Sequence, residues 1–150
     1  LLHDLTKEKR LQTEAMLAKT DDLTQVKNRR GFISNAEPIF KLAARQLQPV
    51  TFAYLDLDDF KTINDSLGHL EGDQVLRAVG KTLLSSVRSI DVVGRLGGDE
   101  FALVFPGMEA SDSKVSISRL HQRILKMMQD HGWEVGVSMV LFHLWILFQI

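Results

Sequence analysis

The sequence predicts an α+β fold, a central and mainly antiparallel sheet flanked by helices around a ferredoxin-like βαββαβ core, and three observations carry that prediction. Short β-rich apolar segments recur at residues 51–57, 91–96, 101–105 and 135–140. Segments with apolar residues spaced three to four apart lie between and around them, at 29–47, 60–67, 73–87 and 111–130. Only Gly97-Gly98-Asp99-Glu100 divides the second and third strands, which fits a glycine-led hairpin and so antiparallel pairing.

Each element has its own signal. Residues 1–19 are rich in Leu, Lys, Glu, Gln and Ala without Gly or Pro, which predicts a helix. Two heptads do not establish a coiled coil, so this segment is expected as a linker helix for signals from a further domain. Thr20-Asp21-Asp22 supplies N-cap chemistry ahead of Leu23, and the second helix runs from about Arg29 to Leu47, with Pro38 in its first turns or at a kink. The strand at 51–57 is continuously apolar until it turns acidic at Asp56, Asp58 and Asp59, as a buried central strand emerging at its end does. Gly68-His69-Leu70-Glu71-Gly72 reads as a loop between the next two helices. Residues 135–150 are strongly apolar but short of the ~20 needed to cross a bilayer, and read as a buried strand followed by an unusual tail.

A chain of 150 residues, 45% hydrophobic and 25% charged, suits one globular domain. Its 18 basic and 19 acidic residues give a net charge of -1, which excludes a global positive field for nucleic acid or an anionic membrane. The absence of cysteine excludes a disulfide framework and a thiolate metal site, and agrees with a cytoplasmic setting, in a free protein or in the cytoplasmic part of a membrane-associated one. The first residue is not Met, so an upstream segment is expected. His69 reads as a structural hydrogen bonder, Met127 and Met128 as core filler, and Trp133 and Trp145 form no platform for nucleic acid.

The chemistry concentrates in two acidic groups. Asp56, Asp58 and Asp59 sit where a buried strand emerges, and carboxylates there are either solvated caps for the next helix or ligands neutralised by a divalent cation. Asp99-Glu100, in the hairpin turn, is by itself an ordinary polar turn. Together the two groups can surround one ion, and magnesium favours a few carboxylates combined with phosphates and water. The helix beginning near Asp59, Phe60 and Lys61 offers free backbone N–H groups to phosphate oxygens.

Four blocks then carry a resemblance in order and spacing: residues 22–30 (DLTQVKNRR), 56–65 (DLDDFKTIND), 68–73 (GHLEGD) and 97–101 (GGDEF). Over about residues 20–140 the chain resembles the GGDEF family of diguanylate cyclases, whose fold is of the nucleotide cyclase/polymerase-palm type. The resemblance implies a domain over 20–150 that becomes atypical from about 139, after a linker over 1–19. It implies that two GTP molecules are condensed into cyclic di-GMP with release of two pyrophosphates, in a homodimer whose two domains face each other. Mg2+ or Mn2+ would be held by Asp56, Asp99 and the carbonyl of Leu57, with Glu100 in support. Asn64 and Asp73 would read the guanine edge, a carboxylate being able to accept from both N1–H and the exocyclic amine. The backbone at Asp59, Phe60 and Lys61 would cradle phosphates, and Gly97 and Gly98 would let the nucleotide lie against bare backbone. Arg88 and Asp91 match an R-x-x-D motif that binds the product and inhibits, or are a surface ion pair.

The resemblance also implies a C-terminal helix with a Lys/Arg pair gripping the triphosphate, whereas residues 141–150 are apolar and have no counterpart. Slow turnover and weak GTP binding are therefore expected. A catalytically impaired module that binds GTP or cyclic di-GMP as a receptor is the alternative, and a cyclase acting on a single nucleotide is a third reading.

Overall fold

The elements follow in the order α1 (Leu2–Leu17), α2 (Arg29–Gln46), β1 (Val50–Asp58), α3 (Phe60–Leu67), α4 (His69–Ser86), β2 (Val92–Gly97), β3 (Glu100–Pro106), α5 (Ala110–Asp130) and β4 (Gly136–Leu144), in a computed structural model that describes residues 1–144. The strands form one antiparallel sheet in the order β2-β3-β1-β4. This is the α+β plan expected, with β1 paired on both edges.

Alternation along β1 decides which side packs where. Thr51, Ala53, Leu55 and Leu57 are all buried on the face covered by α4 and α5, where Val75, Val79, Leu83 and Ile124 complete the larger core. Val50 and Phe52 turn to the other face, where α2 covers β2 and β3 with Phe32, Ala36 and Ala43. That helix ends before β4. Val140, Phe142 and Leu144 are left 50%, 50% and 42% exposed there. Residues 2–14 of α1 are exposed, with Leu2, Leu5 and Leu11 facing solvent.

Several expectations need correction. Residues 69–72 are not a loop but the first turn of α4, and the junction between α3 and α4 shrinks to Gly68 at φ 90°. Gly72 is glycine for packing, since a Cβ there would collide with Asn64 Oδ1. Neither Gly97 nor Gly98 takes a left-handed φ, so the hairpin turn does not need glycine for its backbone; Gly98 opens onto free space. Pro38 lies in the interior of α2 rather than in its first turns. β4 runs on to Leu144, pairing with the whole of β1, and the rest of the apolar tail, with Trp145, lies outside the described residues. His69 is exposed and its side chain makes no hydrogen bond among the described residues.

Candidate active site

Register brings the two acidic groups together. Asp56 stands opposite Glu100 across β1 and β3, and the Leu57 N–H donates to the Asp99 carbonyl at 3.3 Å, so the strand end and the hairpin turn share one corner of the sheet. Burial pushes the Asp56 carboxyl up, and the negative charges of Asp99, Glu100 and Asp58 push it the same way against one backbone hydrogen bond at Leu57. Tyr54, one step back on the same face, is pushed up to about 12 by burial, by its hydrogen bond to Glu100 and by the charges of Glu100, Asp56 and Asp99. No Lys, Arg or His among the described residues offsets the charge at either group. Among the described residues no group of three or more His, Asp or Glu side chains is placed to hold an ion. A pair of carboxylates and a carbonyl suits a hard divalent cation that completes its shell with water and phosphate, so the residues fit Mg2+ or Mn2+.

The phosphate and base positions follow along α3 and α4. Asp59 takes a left-handed φ of 56° just before α3, and the Thr62 N–H closes on its carbonyl at 2.9 Å. The N–H groups of Phe60 and Lys61 thus begin the helix without intrahelical partners. Lys61 is exposed. Gly72 packs on Asn64 and Phe60, which sets Asn64 of α3 beside the first turn of α4 and hence near Asp73; both side-chain positions are half-buried.

At this corner Arg95 escaped the sequence reading, and Asp21 was read there only as part of a helix cap. Arg95 Nε donates to the Gly98 carbonyl at 2.9 Å while Nη1 pairs with Asp21 at 3.3 Å, with side chains only 18% and 20% exposed. Asp21 also accepts from the Thr24 N–H at 2.9 Å and from Thr24 Oγ1 at 2.6 Å. Burial raises the Asp21 carboxyl, but the hydrogen bonds from Thr24 and the charge of Arg95 outweigh it and bring it down. The segment before α2 is thereby tied to the turn that carries Asp99, and a backbone bond from Arg95 N–H to the Lys27 carbonyl at 2.8 Å reinforces the tie. The only signal in sequence was an arginine just ahead of an acidic turn.

Arg88 and Asp91 lie at the other end of β2. Asp91 accepts from the Arg88 backbone N–H at 2.7 Å and from its guanidinium at 2.8 Å, and Arg88 also donates to the Pro106 carbonyl at 2.9 Å. The Asp91 side chain is 1% exposed and that of Arg88 45%. Beside them a cavity of about 640 Å³ opens between the loop, β2 and α2, lined by Ser34, Pro38, Ile39 and Ile90 among others.

A family model described as "Diguanylate cyclase, GGDEF domain" matches residues 18–141. The diguanylate cyclase DgcP of Escherichia coli is 38% identical over 122 residues, 80% of this chain and 36% of its own length. The probable diguanylate cyclase DgcE of the same organism is 33% identical over 143 residues, 93% of this chain and 13% of its own length. The chain thus spans about a third or less of these curated relatives. Among solved structures, the GGDEF domain of DgcB from Caulobacter crescentus, in complex with c-di-GMP, superposes with a TM-score of 0.75 at 27% identity, covering 85% of this chain and 76% of that one.

Proposed function

Because this chain belongs to the GGDEF domain family of diguanylate cyclases, we propose that it condenses two GTP molecules into cyclic di-GMP. The observation that supports this reading most is the meeting of Asp56, Asp99 and Glu100 at one corner of the sheet, where the charges of Asp99 and Glu100 repel that of Asp56 and none of the three forms an ion pair among the described residues. Asp56, Asp99 and the Leu57 carbonyl would hold Mg2+ or Mn2+, which when bound supplies neutralisation of phosphate charge and a lowered pKa for a coordinated hydroxyl. The unpaired N–H groups at the start of α3 receive phosphate oxygens, with Lys61 beside them. Asn64 and Asp73 orient the guanine, and Gly97 and Gly98 leave room for the nucleotide. Each of two identical attacks, by a 3′-hydroxyl on the α-phosphate of the other nucleotide, expels one pyrophosphate. The described residues present one such corner, and in this reading a second copy brings the other nucleotide.

Residues 1–19 serve in this reading as a helix relaying signals from a further domain, and residues from 20 onward form the cyclase domain. Among the described residues no helix is long and apolar enough to cross a membrane.

A second reading, a receptor for cyclic di-GMP, draws on the Arg88–Asp91 loop and its cavity, where a half-exposed guanidinium held in place by Asp91 can grip phosphate or stack on guanine. It also draws on residues 136–150, which hold no Lys or Arg, His143 being their one titratable side chain, and so offer no Lys/Arg pair to grip a triphosphate. Incubation with GTP and Mg2+, followed by chromatography of the products, decides between the readings. Cyclic di-GMP formed by the parent and lost in Asp99→Ala supports the enzyme. Binding of cyclic di-GMP without turnover of GTP supports the receptor.

A further inference from the structure

The helix that carries Asp73 begins without the usual stop. Its N-cap is Gly68, which has no side chain to accept from the first-turn N–H groups, and no side-chain cap replaces it. Glu71 stands at the third helical position, where a glutamate commonly reaches back to the cap residue. Here it reaches outward instead, and its Oε1 accepts from Trp133 Nε1 at 2.7 Å. The indole is a firm anchor. Trp133 is 8% exposed, its backbone N–H donates to the Met128 carbonyl at 3.0 Å at the end of α5, and His131 stacks on its ring at 4.4 Å and 9°. Two residues beyond Glu71 comes Asp73, and between them Gly72 packs without spare room on Asn64.

On the reading above that Asn64 and Asp73 recognise guanine, we infer that Trp133 is a positioning residue for that recognition. Its indole N–H, through Glu71, fixes the uncapped first turn of α4 and so holds the Asp73 carboxylate in register with Asn64. A buried indole that needs only an acceptor would be satisfied by a carbonyl of its own loop. Spending the contact on the one acidic side chain of this turn couples the connection between α5 and β4 to base selection.

The test compares Trp133→Phe, which keeps an aromatic ring but loses the donor, with Glu71→Leu, which loses the acceptor, and Glu71→Gln, which keeps one. Asp73→Ala is the reference, and calorimetry with Mg2+-GTP and Mg2+-ATP on the full chain is the readout, with amide hydrogen exchange over residues 69–76. Trp133→Phe and Glu71→Leu are expected to weaken GTP about 5- to 10-fold with ATP unchanged and to speed exchange in the first turn of α4, while Glu71→Gln stays within about 2-fold of the parent. Should Glu71→Leu not fold, Trp133→Phe against Glu71→Gln still decides. Parent-like GTP binding in Trp133→Phe, with loss in Asp73→Ala, overturns the positioning role and leaves guanine reading intact. Equal weakening of GTP and ATP in Trp133→Phe overturns it as well, since the indole then supports only the fold. If Asp73→Ala does not alter the preference for GTP over ATP, or the parent binds neither, guanine reading itself fails and the positioning role falls with it.

Discussion

The two ends of β2 treat a carboxylate in opposite ways. At its start Asp91 is buried and fully answered, by the Arg88 N–H and guanidinium. At its far end, across the hairpin, Asp56 is surrounded by Asp58, Asp99 and Glu100 and gains a single opposing backbone bond. The first arrangement holds a loop together with the protein's own charges. The second is left with its charges repelling one another, which costs stability and fits the proposal that a cation binds there. Identical side chains are thus sorted into scaffold and site by what stands next to them.

The contrast breaks most visibly under substitution. Asp56→Asn is expected to lower cyclase turnover by at least ~10²-fold, since a lost ligand forfeits several kcal/mol of charge stabilisation. The same change should leave the melting temperature equal or slightly higher, because repulsion is relieved. Asp91→Asn should do the reverse, losing about 1.5–3 kcal/mol of stability as charge-assisted bonds go, with the acidic corner untouched. Steady-state assays beside urea denaturation check both, and a strongly destabilised Asp56→Asn would erase the distinction.

A smaller effect sharpens the far end. Arg88→Ala is expected to weaken cyclic di-GMP binding about 10- to 100-fold at a site separate from the acidic corner, as one charge-assisted phosphate contact is removed. Titration of the variant by calorimetry reads this, and parent-like binding would return Arg88 to a surface ion pair.

The smallest effect is in the pH dependence. Asp56, raised on folding, works against the folded state at neutral pH, and that penalty fades as the pH falls through its folded pKa. Asp21, lowered by Thr24 and Arg95, contributes stability above the ordinary carboxylate range and loses it as the pH falls through its own folded pKa. Relative to the parent, Asp56→Asn should therefore be more stable at pH 7 and Asp21→Asn less stable, with both differences shrinking toward pH 3. Each should be under about 1 kcal/mol because solvent screens both groups. Urea midpoints at the two pH values measure it, and differences of the same sign would contradict the assignment.

Most of this architecture was legible in the sequence because its signals are local. The apolar run at 51–57, the spacing of α5 and the short link between β2 and β3 each announce an element within a few residues. The acidic corner was also legible, since a strand that turns acidic and a hairpin that does the same invite a shared ion. What stayed hidden are pairs made only by folding. Arg95 and Asp21 are 74 residues apart, and Trp133 and Glu71 are 62 apart, so no spacing rule connects them. Residues 69–72 misled for a related reason. A glycine on each side of a polar stretch reads as freedom, whereas Gly72 is there because Asn64 occupies the space a side chain would need.

The pairing of β1 with β4 also orders events in time. The hydrogen bond between Thr51 and His143 and that from Ser138 to Asp58 close loops of 92 and 80 residues. Closing such loops is entropically costly, and contacts of this span form late and slow folding. The strand that ends in Asp56 and Asp58 can gain its second neighbour only once residues 136–144 have left the ribosome. Until then a nascent chain holds its acidic hairpin against a half-paired strand with an open edge, a surface that invites pairing with other chains. Completion of the sheet beside the corner is thereby deferred until residues 136–144 are made, and a mutation that slows β4 docking would reduce the yield of folded protein before it altered any property of the folded molecule.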